Sequence, residues 1–229
     1  MVTVRVEDRD SDLRVVLFDR PTKRNAIDMS VVTGLRDAIV SAPGVAIVVG
    51  STEPTAFSSG ADLSLADAER AAVSDALYEL YATMRTTPKV IIAAASGYAI
   101  GGGAQILIAS DLRFAGPDLR IRFVGPGHGL AVGAWGLPSL VGRGRAMDLC
   151  LSMRMVTAQE ALSMGLVDRI EKDPMAGAEA YAQSLMDLDP GAVMAVKRIV
   201  GASIPAESLE LEQESNASWT GSMPEGRED

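Results

Sequence analysis

The 229-residue chain carries one histidine, His128, and one cysteine, Cys150. Those two scarcities remove whole classes of chemistry. A zinc-binding HExxH helix needs two histidines, and a zinc ribbon or CxxC pair needs two or more cysteines. A single cysteine also excludes an internal disulfide, and that usage fits a cytoplasmic compartment. Neither a GxxxxGK[ST] loop nor a GxSxG elbow occurs. No apolar run approaches the roughly 20 residues that span a bilayer, so no membrane span is expected. Positive charge is short as well: 21 Lys and Arg face 30 Asp and Glu, a formal charge of −9. That balance opposes nucleic-acid binding by counterion release. A site with no metal and no resident cofactor is the expectation that remains.

The chain is rich in short apolar blocks, and 48% of its residues are hydrophobic. Its start alternates Val2, Val4 and Val6 among charged residues, which reads as a first strand more than as a signal peptide. Residues 13–18, 45–49 and 90–95 read as further strands, and 112–115, 119–123 and 167–170 as later ones. Ser30 is a candidate N-cap for a helix ending at Val40. Residues 65–86 read as a long amphipathic helix with Leu77, Leu80, Tyr81 and Met84 on one face. Residues 51–60 read as a loop, and 125–136 as a Gly-rich connection. Thr157 opens a capping box with Glu160. Asp189-Pro190 caps a late helix, and the polar tail after Thr220 reads as frayed. Strands and helices alternate and a helical region follows, which gives an α/β core over 1–172 and a helical region over 173–229.

The most distinctive stretch is Gly101-Gly102-Gly103-Ala104-Gln105, between an apolar strand and an apolar helix. Three glycines clear side chains from a helix N-terminus, so its free N–H groups can approach a ligand oxygen. Tight turns and close helix–strand packing would use the same glycines.

Five blocks, in order, make the chain resemble the crotonase superfamily of enoyl-CoA hydratases and isomerases. Residues 20–26 are similar to the family's RPxxRNA turn, and 56–63 to its AFSAGADL loop. Residues 88–103 are similar to KPVIAAVxGxAxGGG, 111–113 to CDxR, and 157–167 to TAxEAxxxGLV. The resemblance implies a crotonase-like spiral of stacked ββα units with a C-terminal helical trimerisation region. It implies a homo-oligomer, either a trimer or a dimer of trimers. It also implies an acyl-CoA ligand in fatty-acid or related acyl-CoA metabolism. Ala61 and Gly102 match the two backbone N–H groups of the family's oxyanion hole. Two fixed donors there would stabilise an enolate-like oxygen, each by about 3 kcal/mol. Lys23, Arg24, Ala26, Ala61, Asp62, Leu63 and Ser64 match the CoA-binding region, although Lys23 and Arg24 also fit a solvated basic turn.

The chain departs from the family at the acid–base pair. Gln105 stands where hydratases place their first glutamate, and Gly127 where they place the second. An amide can hydrogen-bond a water but does not exchange protons near neutral pH. No Asp or Glu occurs between Asp118 and Asp148. Losing two general acid–base groups, each contributing about 10²–10⁴-fold, makes ordinary hydration doubtful. His128, beside Gly127, is the speculative substitute base, or else a packed or solvated loop residue. Asp67, Glu69, Asp75 and Glu79 read chiefly as a solvated helix face. Trp135 and Phe123 fit either an acyl pocket or plain core. The family's last basic, aromatic helix follows the segment matching residues 224–227, and the end at Asp229 is expected to alter nucleotide affinity or assembly. Two readings stay open: an enolate-forming enzyme of the enoyl-CoA hydratase/isomerase type, and a non-catalytic acyl-CoA binding or presenting protein. An unrelated α/β domain using the glycine turn for another anion is the third.

Overall fold

The computed structural model describes residues 3–9 and 13–222. Val2 and the polar tail beyond 222, including the 224–227 segment, lie outside the described residues. Strands β1 (Val4–Arg9) and β2 (Leu13–Phe18) pair antiparallel and lead into α1 (Met29–Val40). Then follow β3 (Ala46–Ser51), β4 (Ala56–Ser58) and α2 (Asp67–Thr86), and after them β5 (Val90–Ala95), β6 (Tyr98–Ile100) and α3 (Gly102–Ala109). Next come β7 (Leu112–Ala115), β8 (Arg120–Arg122), α4 (Leu137–Val141) and α5 (Arg143–Ser152). The chain continues through β9 (Val156–Thr157), α6 (Ala158–Met164), β10 (Arg169–Ile170), α7 (Pro174–Ser184), α8 (Pro190–Gly201) and α9 (Ala206–Asn216).

From β3 to β8 successive strands alternate between two sheets. One runs β1-β2-β3-β5-β7-β10 and the other β4-β6-β8-β9. The consecutive units β3-β4-α2 and β5-β6-α3 therefore each give one strand to each sheet before a helix returns the chain. That repetition is the expected ββα spiral. It left no repeat signal in the sequence because the second strand of each unit spans only three residues.

Strands β2, β3, β5 and β7 pair parallel and are largely buried on both faces, which explains the nearly continuous Val, Ile and Ala runs of β3 and β5. Side chains alternate with period two. Val16, Phe18, Ile47, Val49, Ile91 and Ala93 join the main core beneath α1, α2 and α3. Leu13, Val15, Leu17, Ala46, Val48, Ile92 and Ala94 face a second core with Ala178 and Ala182 of α7.

Helix α1 starts earlier than its sequence suggested. Asp28 is the N-cap, accepting from Val31 N at 3.0 Å, and Ser30 Oγ donates to Asp28 instead of capping. Thr157 does cap α6, accepting from Glu160 N, but the Glu160 carboxylate pairs with Arg154 at 2.6 Å and closes no box. Asp189 caps α8. Lys197 then ties α8 to the core, donating to Met84 O at 3.0 Å and Lys89 O at 2.7 Å and pairing with Asp111 at 2.7 Å.

Candidate active site

Strands β4 and β6 are parallel neighbours, and ligand sites in α/β sheets form beyond the C-terminal ends of such strands. Residues 51–60 read as a loop in the sequence, but they contain β4, and that strand is what brings Gly60 beside Ile100. Gly60 has φ +90, and a Cβ there would lie 2.9 Å from Ile100 O. A Cβ on Gly103 would lie 2.7 Å from Ser58 Cβ. Only residues without side chains let the two turns approach this closely.

Hydrogen bonding orients the first turn. Ile27 N donates to Gly60 O at 2.7 Å, and Asp62 N donates to Ile27 O at 2.9 Å. Because alternate peptide groups of extended chain point opposite ways, the Ala61 N–H is directed away from Ile27. Gly102 is the first residue of α3, where N–H groups have no intrahelical acceptor. Gly102 borders Ile27, Leu77 and the Tyr81 hydroxyl.

The basic turn is firmly built. Asn25, in the left-handed region at φ 55, is fully buried. Its Nδ2 donates to Ser51 Oγ, Ala56 O and Phe57 O, while its Oδ1 accepts from Arg20 N. Arg20 pairs with Asp62 at 2.9 Å and Asp28 at 3.1 Å. Lys23 Nζ donates to Ser64 Oγ at 3.0 Å and lies 3.8 Å from Asp62. Burial would raise the Asp62 carboxyl, but hydrogen bonds from Ser64 and Arg20 and the Lys23 charge hold it below the usual carboxylate range. Lys23, Asp62 and Ser64 are thus brought together. Arg24 and Leu63 are exposed beside them, and Ala26 is buried beneath.

On the other side of Gly102, Gln105 is buried with Trp135. Trp135 Nε1 donates to Gln105 Oε1 at 2.8 Å, and Gly133 N donates to the same oxygen at 3.2 Å. Trp135 stacks on Tyr81 with ring centroids 6.0 Å apart. It is therefore a wall of the Gly102 surroundings as well as core.

One functional group was missed from sequence. Glu212, on α9, is 4% exposed. It accepts from Trp135 N at 2.9 Å, from Gly133 N at 3.3 Å and from the Tyr78 hydroxyl at 3.3 Å. Gly133 N is shared with Gln105, so a carboxyl stands next to that glutamine. Burial pushes Glu212 up to about 7, against the opposing pull of the Trp135 and Gly133 amides and Tyr78. Its spacing held a signal: Leu209, Glu212 and Asn216 are the buried residues of α9, three and four apart on one helical stripe.

The other candidates separate from this cluster. Gly127 sits in the 3₁₀ turn Pro126–His128, where its N–H faces Met153 Sδ at 3.2 Å. His128 ends that turn, half-buried. Asp67, Glu69, Asp75 and Glu79 are all exposed, with Asp67 on Arg70, Glu69 on the Ala66 amide and Glu79 on Arg36. A concavity of about 1420 Å³ lies elsewhere, between α2, the end of α3, α8 and α9.

A two-sheet ββα spiral with facing glycine turns at the ends of β4 and β6 defines a crotonase-type protein. The chain belongs to the enoyl-CoA hydratase/isomerase family, whose model matches residues 8–225. It is 36% identical over 192 residues to a probable enoyl-CoA hydratase, echA6, of Mycobacterium leprae, covering 80% of this chain and 76% of the relative. It is 38% identical over 188 residues to the Mycobacterium tuberculosis echA6 protein, at the same coverage. Among solved structures, DspI of Pseudomonas aeruginosa superposes with a TM-score of 0.82 at 27% identity, covering 93% of this chain and 87% of that one.

Proposed function

We propose that this protein binds acyl-CoA thioesters and polarises the thioester carbonyl between the N–H groups of Ala61 and Gly102, in fatty-acid or related acyl-CoA metabolism. The observation that carries this reading is the contact of the two turns, Gly60 against Ile100 and Gly103 against Ser58, with the Ala61 N–H turned away from Ile27. Two amides fixed in advance stabilise a developing enolate without reorganising. Lys23 and Arg24, on the exposed rim, supply positive charge for CoA phosphates, and Ala26, Asp62, Leu63 and Ser64 complete that rim.

Ordinary enoyl-CoA hydration is weak or absent in this reading. Gln105 has no proton to exchange, Gly127 has no side chain, and Glu212 is committed to three hydrogen bonds. Family membership favours an enolate-forming enzyme. The amide at 105, held by two donors, favours the second reading, a non-catalytic protein that binds or presents acyl-CoA. His128 remains the candidate base of the enzymatic reading, and His128→Ala should then abolish turnover while sparing affinity. Exposed Val196, Ile199 and Val200 on α8 support association with further copies, as a trimer or a dimer of trimers.

Calorimetric titration with butyryl-CoA, beside an absorbance assay of crotonyl-CoA hydration, tests the proposal. Binding without turnover is the expected result. Turnover at ordinary hydratase rates would overturn the claim about Gln105 and Gly127, and no thioester binding would overturn the whole reading.

A further inference from the structure

The orientation of the Gln105 amide is fixed by chemistry. Two N–H donors, Trp135 Nε1 and Gly133 N, converge on one atom. That atom must be the oxygen, because a flipped amide would set N–H against N–H. The amide nitrogen therefore takes the opposite direction.

Among the described residues, the Gln105 side chain makes its hydrogen bonds through Oε1, and none runs from Nε2. The sealed side-chain nitrogens without a partner are Arg113 Nε and Trp219 Nε1, and Gln105 Nε2 is not one of them. It therefore reaches accessible space, on a residue only 5% exposed. Helical side chains lean toward the N-terminus and cover the preceding turn. Residue 105 is three positions after Gly102 on the same face, about 4.5 Å along the axis. The free N–H pair is thus presented toward the space beside the Gly102 amide.

We infer that Gln105 is a specificity-determining donor that selects acyl-CoA thioesters carrying an acceptor oxygen on C3, such as 3-oxoacyl-CoA, over plain acyl chains. This rests on the thioester carbonyl binding at Ala61 and Gly102. With the carbonyl oxygen there, C2 and C3 extend into the turn of helix that Gln105 covers. An oxygen on C3 accepts from Nε2. A methylene at C3 leaves a buried donor unpaired, and that asymmetry is the larger part of such discrimination. The family's glutamate at this position presents an acceptor or an exchangeable proton; this chain presents only donors.

The test compares acetoacetyl-CoA with butyryl-CoA by calorimetry, on the wild type, Gln105→Glu and Gln105→Leu. Gln105→Glu keeps an oxygen for Trp135 and Gly133 but replaces the outward donor with an acceptor, so it remains informative where the leucine variant fails to fold. Wild type should prefer acetoacetyl-CoA by about tenfold, the size of one well-placed hydrogen bond. Both variants should lose that preference, and Gln105→Leu should bind butyryl-CoA more tightly than wild type because no donor is left unpaired. Equal affinities in wild type, or a preference that survives Gln105→Glu, overturn the inference and leave the acyl-CoA reading standing. Failure of wild type to bind either thioester removes both.

Discussion

Glu212→Gln gives a sharp physical test of the polar core beside Gln105. Glu212 is buried against neutral groups: the amides of residues 133 and 135 and the Tyr78 hydroxyl. Burial raises its carboxyl from 4.5 to about 7. At about 1.4 kcal/mol per tenfold change in proton affinity, that interval corresponds to roughly 3 kcal/mol. The sign follows from which state holds the proton. Below pH 4.5 both folded and unfolded chains are protonated and the contribution is fully present. As pH rises toward 7 the unfolded chain ionises first, so stability falls, and above 7 the loss is complete. About 2–3 kcal/mol of it should fall between pH 5 and pH 8. A glutamine cannot ionise, so the variant lacks this component, while every other titrating group cancels in the comparison. Urea denaturation followed by tryptophan fluorescence at both pH values measures it. Wild type should lose about 2–3 kcal/mol more than Glu212→Gln on going from pH 5 to pH 8. Parallel losses in the two proteins would refute the argument that this carboxyl is held protonated by burial.

Other perturbations follow from the same coordinates. Gly60→Ala places a Cβ 2.9 Å from Ile100 O at φ +90, and should cost about 1–3 kcal/mol of stability. The same change should weaken butyryl-CoA binding at least about tenfold by displacing the Ala61 amide from its fixed direction. Lys197→Met strips a charge from Asp111 and a donor from Met84 O and Lys89 O. The half-buried Asp111 carboxylate keeps the Ile91 N–H donor, and losing its Lys197 partner should cost about 1–3 kcal/mol in chemical denaturation. A loss below about 1 kcal/mol would show that α8 is not held by this ion pair. Crotonyl-CoA hydration should stay at background across pH 6–9, since no residue at positions 105 or 127 titrates there.

The large sheet was legible because its central strands β3 and β5 carry blocks of four to six Val, Ile or Ala residues flanked by turn signals. The small sheet was legible only in β8, which lies within the strand read at 119–123. Strands β4 and β6 span three residues each, too few to show a period, so residues 56–58 read as loop. Yet β4 and β6 are the pair that carries the two site turns to one place. The cap of α1 was misplaced because Asp28 and Ser30 are both good capping residues, and only geometry decides between them. Gln105 stood out as a departure from a resembling family. Its fixed amide orientation did not, since that depends on Trp135 and Gly133 some thirty residues later. Glu212 was hidden for the same reason: its partners lie 77 and 79 residues earlier, and it sits among Glu207, Glu210 and Glu214, which resemble an ordinary solvated helix.

The infrared stretch of a butyryl-CoA thioester carbonyl labelled with carbon-13, recorded free and bound, tests the central claim most directly. Donation from Ala61 and Gly102 should weaken the C=O bond and move the bound band to lower frequency. A ligand that binds with its carbonyl band unmoved would contradict the account.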